Sequence, residues 1–173
     1  VMLQCIGSRN DKNKYCSRVC CNAAIKNAIK LKEANPEVEV YILNKDIVTY
    51  GFAEHQYTNA RKLGITFLKY DGEPLIELSG KNLSIKFIDS LLKDEISLSP
   101  DMIVLSTGIV TGKDNQLLSS LFNIPLDQDG FFKEANTKFR PVDATDGIFL
   151  AGLAHSPRNV KEAIAQGLAA AAR

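Results

Sequence analysis

The chain reads as an α/β protein built on a doubly wound, mostly parallel sheet, and three stretches near its start predict this. An apolar run, residues 1–6, ends at Gly7 in the way a buried parallel strand runs into a loop. A helical stripe follows, with Cys21, Ile25, Ala28 and Ile29 on one face, Lys26, Asn27, Lys30 and Lys32 largely on others, and Asn35-Pro36 as its stop. Residues 37–43 then alternate, with Val38, Val40 and Ile42 on one face of a second strand. Strand, helix and strand within roughly forty residues form a β–α–β unit.

The remaining elements follow in order. Residues 53–63 have helical spacing and Gly64 ends them, before a strand at 65–70. Residues 74–78 and 83–91 alternate as two strands joined through Ser79-Gly80-Lys81-Asn82, a hairpin that crosses over the sheet, and Lys93-Asp94-Glu95 reads as a solvated turn. An apolar strand then ends in Ser106-Thr107-Gly108. Residues 117–122 form a short helix, Asp129-Gly130 and residues 143–147 are turns, and residues 148–151 form a short strand ending at Gly152. The last helix, 160–173, is rich in alanine.

Composition bounds the function without naming it. With 45% hydrophobic and 24% charged residues the chain is an ordinary globular one, long enough for one full core or for one domain and part of another. A net charge of +1 gives no electrostatic case for nucleic acid or an acidic membrane surface. No apolar run approaches the length of a membrane span, and no signal peptide is recognisable, so a cytoplasmic location is expected. Val1 falls inside a strand and Arg173 inside a helix, which reads as a piece of a longer protein.

All four cysteines, Cys5, Cys16, Cys20 and Cys21, lie near the start, and the rest of the chain has none. A disulfide framework would be spread over loops, so this grouping points to one site. If Cys16 opens the helix, Cys16 and Cys20 share a face at i, i+4, Cys21 turns about 100° away, and the helix's positive end favours thiolates. Four thiolates suit zinc or an iron–sulfur cluster. Adjacent ligating cysteines are awkward around one small ion and less so around a larger cluster. A third reading keeps Cys20 and Cys21 as small buried helix residues and Cys5 as strand filler.

A dinucleotide-binding first strand would run into G-x-G-x-x-G, whose glycines admit a pyrophosphate. Here that place reads Cys5-Ile6-Gly7-Ser8-Arg9-Asn10, so the cradle is absent, and Asp46 alone is weak support for ribose binding. The residues fit a Rossmann-like scaffold refitted around the cysteines better than ordinary nicotinamide nucleotide binding. His55 reads as a solvated helix residue rather than a ligand. Ser106-Thr107-Gly108 puts a small hydroxyl and a glycine at a strand's carboxyl end, where a ligand can approach the backbone. The small residues Ala163, Gly167 and Ala170 to Ala172 let the last helix lie close against a sheet or a cofactor, and its N-terminus suits negative charge such as that of a reduced flavin. Tight packing without a ligand explains that helix equally well.

Taken together, Ser106-Thr107-Gly108, then Gly147-Ile148-Phe149-Leu150-Ala151-Gly152, then Arg158-Asn159-Val160 and Gly167 resemble the C-terminal flavin signatures of thioredoxin-reductase-like flavoproteins. With Gln4-Cys5-Ile6-Gly7-Ser8-Arg9 and Tyr15-Cys16-Ser17-Arg18-Val19-Cys20-Cys21 added, the chain resembles the HdrA-type flavoproteins of heterodisulfide reductases and their bacterial relatives along essentially its whole length. The resemblance implies a Rossmann-like, NAD(P)-binding-like domain over residues 1–105 and the C-terminal part of an FAD-binding domain over 106–173. It implies electron transfer between FAD and [4Fe–4S] clusters toward disulfide reduction, with other subunits of a heterodisulfide-reductase-type complex and electron-donor proteins as partners. It makes Cys5, Cys16, Cys20 and Cys21 the ligands of one [4Fe–4S] cluster. It makes Thr107, Gly108, Gly152, Leu153, Ala154, Asn159 and Val160 the flavin contacts, the Val160 N–H facing a flavin carbonyl. No catalytic residue follows from it.

Two departures carry expectations of their own. Leu153 stands where thioredoxin reductases carry an Asp, and the heterodisulfide reductase relatives lack that Asp too. No G-x-G-x-x-G for the ADP half of FAD occurs in the chain, so this piece alone is expected to bind FAD weakly or not at all and to have no turnover. Two rivals remain: a non-redox docking module for partner subunits with structural or zinc-bound cysteines, and a thiol–disulfide oxidoreductase using Cys20-Cys21 or Cys16-Cys20.

Overall fold

The β–α–β unit is formed. In the computed structural model, which describes residues 1–173, β1 (Met2–Ile6) pairs in parallel with β2 (Tyr41–Asn44), Met2 against Ile42 and Leu3 against Leu43, and α1 (Cys20–Ala34) connects them. The expected stripe Cys21, Ile25, Ala28 and Ile29 is buried. β2 is shorter than the alternating run, yet Val40 and Ile42 are buried and Val38 packs on the same cluster, so the face is the expected one. After α2 (Ala53–Lys62), β3 (Thr66–Ser79) continues the sheet in parallel with β2.

Two corrections belong to the crossover. The expected strands at 65–70 and 74–78 are one long β3, which bulges between Asp71 and Leu75 as it pairs with the antiparallel β4 (Asn82–Asp89). Gly72, at φ +69°, takes the conformation the bulge needs. The turn expected at 93–95 closes on buried Asp89, whose Oδ1 accepts the N–H groups of Leu91 and Leu92 at 2.8 Å each, and Glu95 already opens β5 (Glu95–Leu98).

β6 (Val104–Thr107) then pairs in parallel with the free side of β1, giving the order β5-β4-β3-β2-β1-β6. Its four parallel members have the doubly wound arrangement, with the order reversing where β1 lies between β2 and β6. Alternation along β1 divides two cores. Met2 joins Ala24, Ile25 and Ala28 of α1, and Leu3 joins Leu43, Tyr70, Ile85 and Phe87 on the opposite face.

These elements make one compact unit, Val1–Ile6 with Cys20–Thr107; the other is Gly7–Val19 with Gly108–Arg173. The second unit holds α3 (Asn115–Phe122), a two-stranded hairpin of β7 (Asp143–Thr145) and β8 (Ile148–Phe149), a 3-10 turn (Gly152–Ala154) and α4 (Val160–Ala171). Its core gathers Ile124, Phe132, Ala144 and Leu150. Residues 143–147, expected as a turn, contribute a strand and then turn at Gly147, whose φ is +78°. Buried Asp143 meets the guanidinium groups of Arg140 and Arg173, each at 3.3 Å. No helix is long and apolar enough to cross a membrane.

Candidate functional site

Doubly wound sheets bind ligands outside the carboxyl ends of the strands where their order reverses. In the first unit that place is the end of β1 beside β6, and Cys5 occupies it. The register between these strands slips between Leu3 and Ile6, and Cys5 within the slip has φ +64°. A non-glycine residue there costs roughly 1–2 kcal/mol, a cost seen mostly where function retains it. Tyr70 donates its phenol to the Gln4 carbonyl at 2.7 Å, steadying the irregular stretch from the far face.

Cys20 is the first residue of α1, at its positive end, and Cys21 is buried, its Sγ donating to the Asp46 carbonyl at 3.7 Å. Cys16 does not open the helix. It lies in the 7–19 loop, so Cys16 and Cys20 do not share a helical face. The physical reason is Arg18, whose φ of +62° is left-handed, with the Val19 N–H turned back on the Ser17 carbonyl at 2.7 Å. The dipole argument therefore passes from Cys16 to Cys20. None of the four cysteines is in a disulfide, and no three His, Cys, Asp or Glu side chains converge as a metal-ion site.

Within the second unit the 7–19 loop is held at several points. Buried Ser17 accepts the Ile109 N–H at 2.9 Å, and Tyr15 donates to the Ile109 carbonyl at 2.8 Å while its ring meets Phe131 edge-on at 5.3 Å. Arg18 reaches the Pro157 carbonyl at 3.1 Å and Glu162 at 2.6 Å, and its N–H points to the Cys16 sulfur at 3.3 Å. The residues interleaved with the cysteines in Cys-Ser-Arg-Val-Cys-Cys thus fix the loop that carries Cys16.

The expected flavin residues are placed unevenly. Thr107 ends β6, exposed. Gly108 is needed for packing: a Cβ there would stand 3.0 Å from the Gly7 carbonyl oxygen and 3.1 Å from the Ser8 Cβ. Gly152, Leu153 and Ala154 form the 3-10 turn ahead of α4, with Gly152 at φ +65° and its N–H given to Gln166 at 2.9 Å. Asn159 and Glu162 close a capping box at the head of α4, each accepting the other's backbone N–H at 3.0 Å. Leu153, Ala154 and Val160 are exposed beside that helix end. Arg18 offsets the charge that Glu162 brings to it. His55 is exposed in α2 and stacks on Phe52, as a solvated residue does.

A chain of polar groups that sequence reasoning missed underlies this turn. Gln166 accepts from Gly152 through Oε1, so its Nε2 donates to His155 Nδ1 at 2.8 Å, which leaves the His155 Nε2 proton facing Glu134 at 3.0 Å. The Thr137 hydroxyl, foremost, holds the Glu134 carboxyl down to about 2; partial burial, next in size, opposes it, and Glu134's own backbone N–H and His155 add to the lowering. The Asn159-x-x-Glu162 spacing was a readable sign of the cap. Gln4, a polar residue in an apolar run, was a readable sign too.

The donor chemistry fits a soft-metal cluster: four thiols outside any disulfide, one on a strained bulge and one at a helix's positive end. Next to Cys5, the Gln4 side chain is wholly buried with neither carboxamide atom hydrogen-bonded, so this edge of the sheet holds an unmet polar demand.

No family profile matches the chain. The chain is 40% identical over 98% of its length to the A-type component of the ferredoxin:CoB-CoM heterodisulfide reductase of Methanosarcina acetivorans and covers 22% of that protein. It is 37% identical over 99% of its length to the A-type iron-sulfur component of the CoB–CoM heterodisulfide reductase of Methanocaldococcus jannaschii and covers 27% of it. Among solved structures, T. acidophilum thioredoxin reductase superposes at a TM-score of 0.61 over 99% of this chain and 49% of its own, at 17% identity. The flavoprotein disulfide reductase RclA of Escherichia coli gives 0.57 over 98% of this chain and 34% of its own, at 12% identity. These two show the fold, that of the thioredoxin-reductase-like flavoproteins. By sequence the chain is similar to the HdrA proteins of heterodisulfide reductases and spans about a quarter of their length.

Proposed function

We propose that this chain is the cluster-bearing, flavin-facing segment of an oxidoreductase component of heterodisulfide reductase type. Cys5, Cys16, Cys20 and Cys21 would hold one [4Fe–4S] cluster. Thr107, Gly108, Gly152, Leu153, Ala154, Asn159 and Val160 would contact FAD in the intact protein. Residues 1–105 would act as the Rossmann-like domain and 106–173 as the C-terminal part of the FAD-binding domain. When bound, the flavin and the cluster supply one- and two-electron transfer. The chain's own residues do the rest. Cys5 presents its thiol at the strand-order reversal, and the positive end of α1 favours negative charge at Cys20. Arg18 and Ser17 fix the loop that carries Cys16, and Asn159 with Glu162 shapes the head of α4. Other subunits of a heterodisulfide-reductase-type complex and electron-donor proteins would be the partners.

The observation that carries this reading is the strained Cys5 at the carboxyl end of β1, because a strand-filling cysteine gains nothing from φ +64°. The names of the relatives support it. A second reading, a docking module with structural or zinc-bound cysteines, draws on Cys21, which is buried with its thiol already bonded to Asp46. Metal and sulfide analysis of the intact protein, purified without oxygen, separates the two. Cys5→Ser and Cys20→Ser should each remove about four irons per chain. Iron and sulfide content unchanged in both variants sinks the cluster assignment, and zinc lost in their place supports the docking module.

A further inference from the structure

The buried polar group that the fold leaves without a partner is the side chain of Gln4. It is fully inaccessible, and neither its Oε1 nor its Nε2 has a hydrogen-bond partner. An unpaired amide in an apolar interior is destabilising, since it has given up water and gained no partner. Leucine or methionine would fill the same place in β1 without that cost, as Met2 and Leu3 do.

Its surroundings within the first unit are defined. Strand alternation puts Gln4 on the face of Met2, the face covered by α1, and opposite Leu3. It is the last residue before the Cys5 bulge, so its side chain lies toward the carboxyl edge of the sheet. α1 begins at that edge with Cys20 and Cys21, and Cys21 is anchored there on Asp46, just beyond β2. Continuing the register of Met2 with Ile42 and Leu3 with Leu43 sets Gln4 beside Asn44. Asn44 cannot satisfy it with its own amide protons, which go to the carbonyls of Ile42 at 3.3 Å and Leu68 at 3.2 Å. The edge toward which the amide lies thus carries a thiol on its own strand, Cys5, and two at the start of α1, Cys20 and Cys21.

We propose that the Gln4 carboxamide donates its Nε2–H to sulfur of the iron–sulfur cluster held by Cys5, Cys20, Cys21 and Cys16, and so raises the reduction potential of that cluster; this rests on the reading of the cysteines given above. A donor to sulfur stabilises the more negative, reduced state more than the oxidised one, and hydrogen bonds to the sulfurs are among the factors that set such potentials. Gln4 is a positioning and tuning residue here, not a ligand.

The test uses the intact protein without oxygen. Cys5→Ser and Cys20→Ser first identify which electron paramagnetic resonance signal belongs to this cluster. Gln4→Leu should keep the signal and iron content while changing the ratio of reduced to oxidised cluster about tenfold at a given potential, a lowering of about 59 mV for one electron. On the unsubstituted protein, side-chain 15N labelling of glutamine should give a nitrogen hyperfine coupling to the same signal, and Gln4→Leu should remove it. An unshifted potential with no nitrogen coupling overturns the role of Gln4 and leaves the cluster standing. If Gln4→Leu fails to hold iron, the coupling in the unsubstituted protein decides alone. Absence of any signal sensitive to Cys5 and Cys20 overturns the cluster reading, and this inference with it.

Discussion

At the scale of single residues, backbone conformation and unmet hydrogen bonds say more than residue type. Cys5 at φ +64° separates two substitutions that remove the same thiol. Cys5→Gly should be more stable than Cys5→Ser by about 1 kcal/mol, since only glycine adopts that conformation freely, and urea denaturation of the two variants measures the difference. Gly108→Ala should lose about 1–3 kcal/mol through overpacking against Gly7 and Ser8, and a denaturation midpoint unchanged from the unsubstituted protein would contradict that packing. Glu134 carries a pH dependence. Its folded pKa of about 2 lies below the ordinary 4.5, so its contribution to stability is present above pH 4.5 and is lost as the pH falls toward 2. Glu134→Gln should flatten the acid limb of stability in that window, and thermal melts between these limits measure it. None of these three facts was legible in the sequence, because a φ angle, a 3.0 Å approach and the partners a half-buried carboxylate takes are set by how the chain folds around them, whether those partners are near, as Thr137 is to Glu134, or distant, as Gly7 is to Gly108.

At the scale of elements the sequence was a good guide to what exists and a poorer one to where it ends. α1 announced itself through its stripe and its Asn35-Pro36 stop, but its start moved from Cys16 to Cys20 because an arginine adopted a left-handed conformation that periodicity cannot register. β3 absorbed two expected strands because a glycine that reads as a break instead made a bulge. α4 was found with its correct start, and the capping box explains why that start is sharp. Asn159→Ala should cost about 1 kcal/mol, read as a fall in melting temperature, and should leave the α1 region's hydrogen-exchange protection unchanged.

At the scale of the whole molecule, the doubly wound order and the place of Cys5 and Cys20 at its carboxyl edge were both readable from one β–α–β unit and one dense motif. The membership of the 7–19 loop was not, because it is decided by Ser17, Tyr15 and Arg18 bonding to residues about a hundred positions away. The chain enters the second unit at Gly7, leaves it after Val19, and returns at Gly108. Each unit is therefore discontinuous in sequence. A gene fragment coding for Gly108–Arg173 alone would lack the partners of Ile109, Pro157 and Glu162, and one coding for residues 1–105 would carry a loop whose Tyr15, Ser17 and Arg18 had lost theirs. Recombination with a single crossover cannot move either unit intact. The two are heritable only as a pair, and the cysteine motif is the stitch that makes them so.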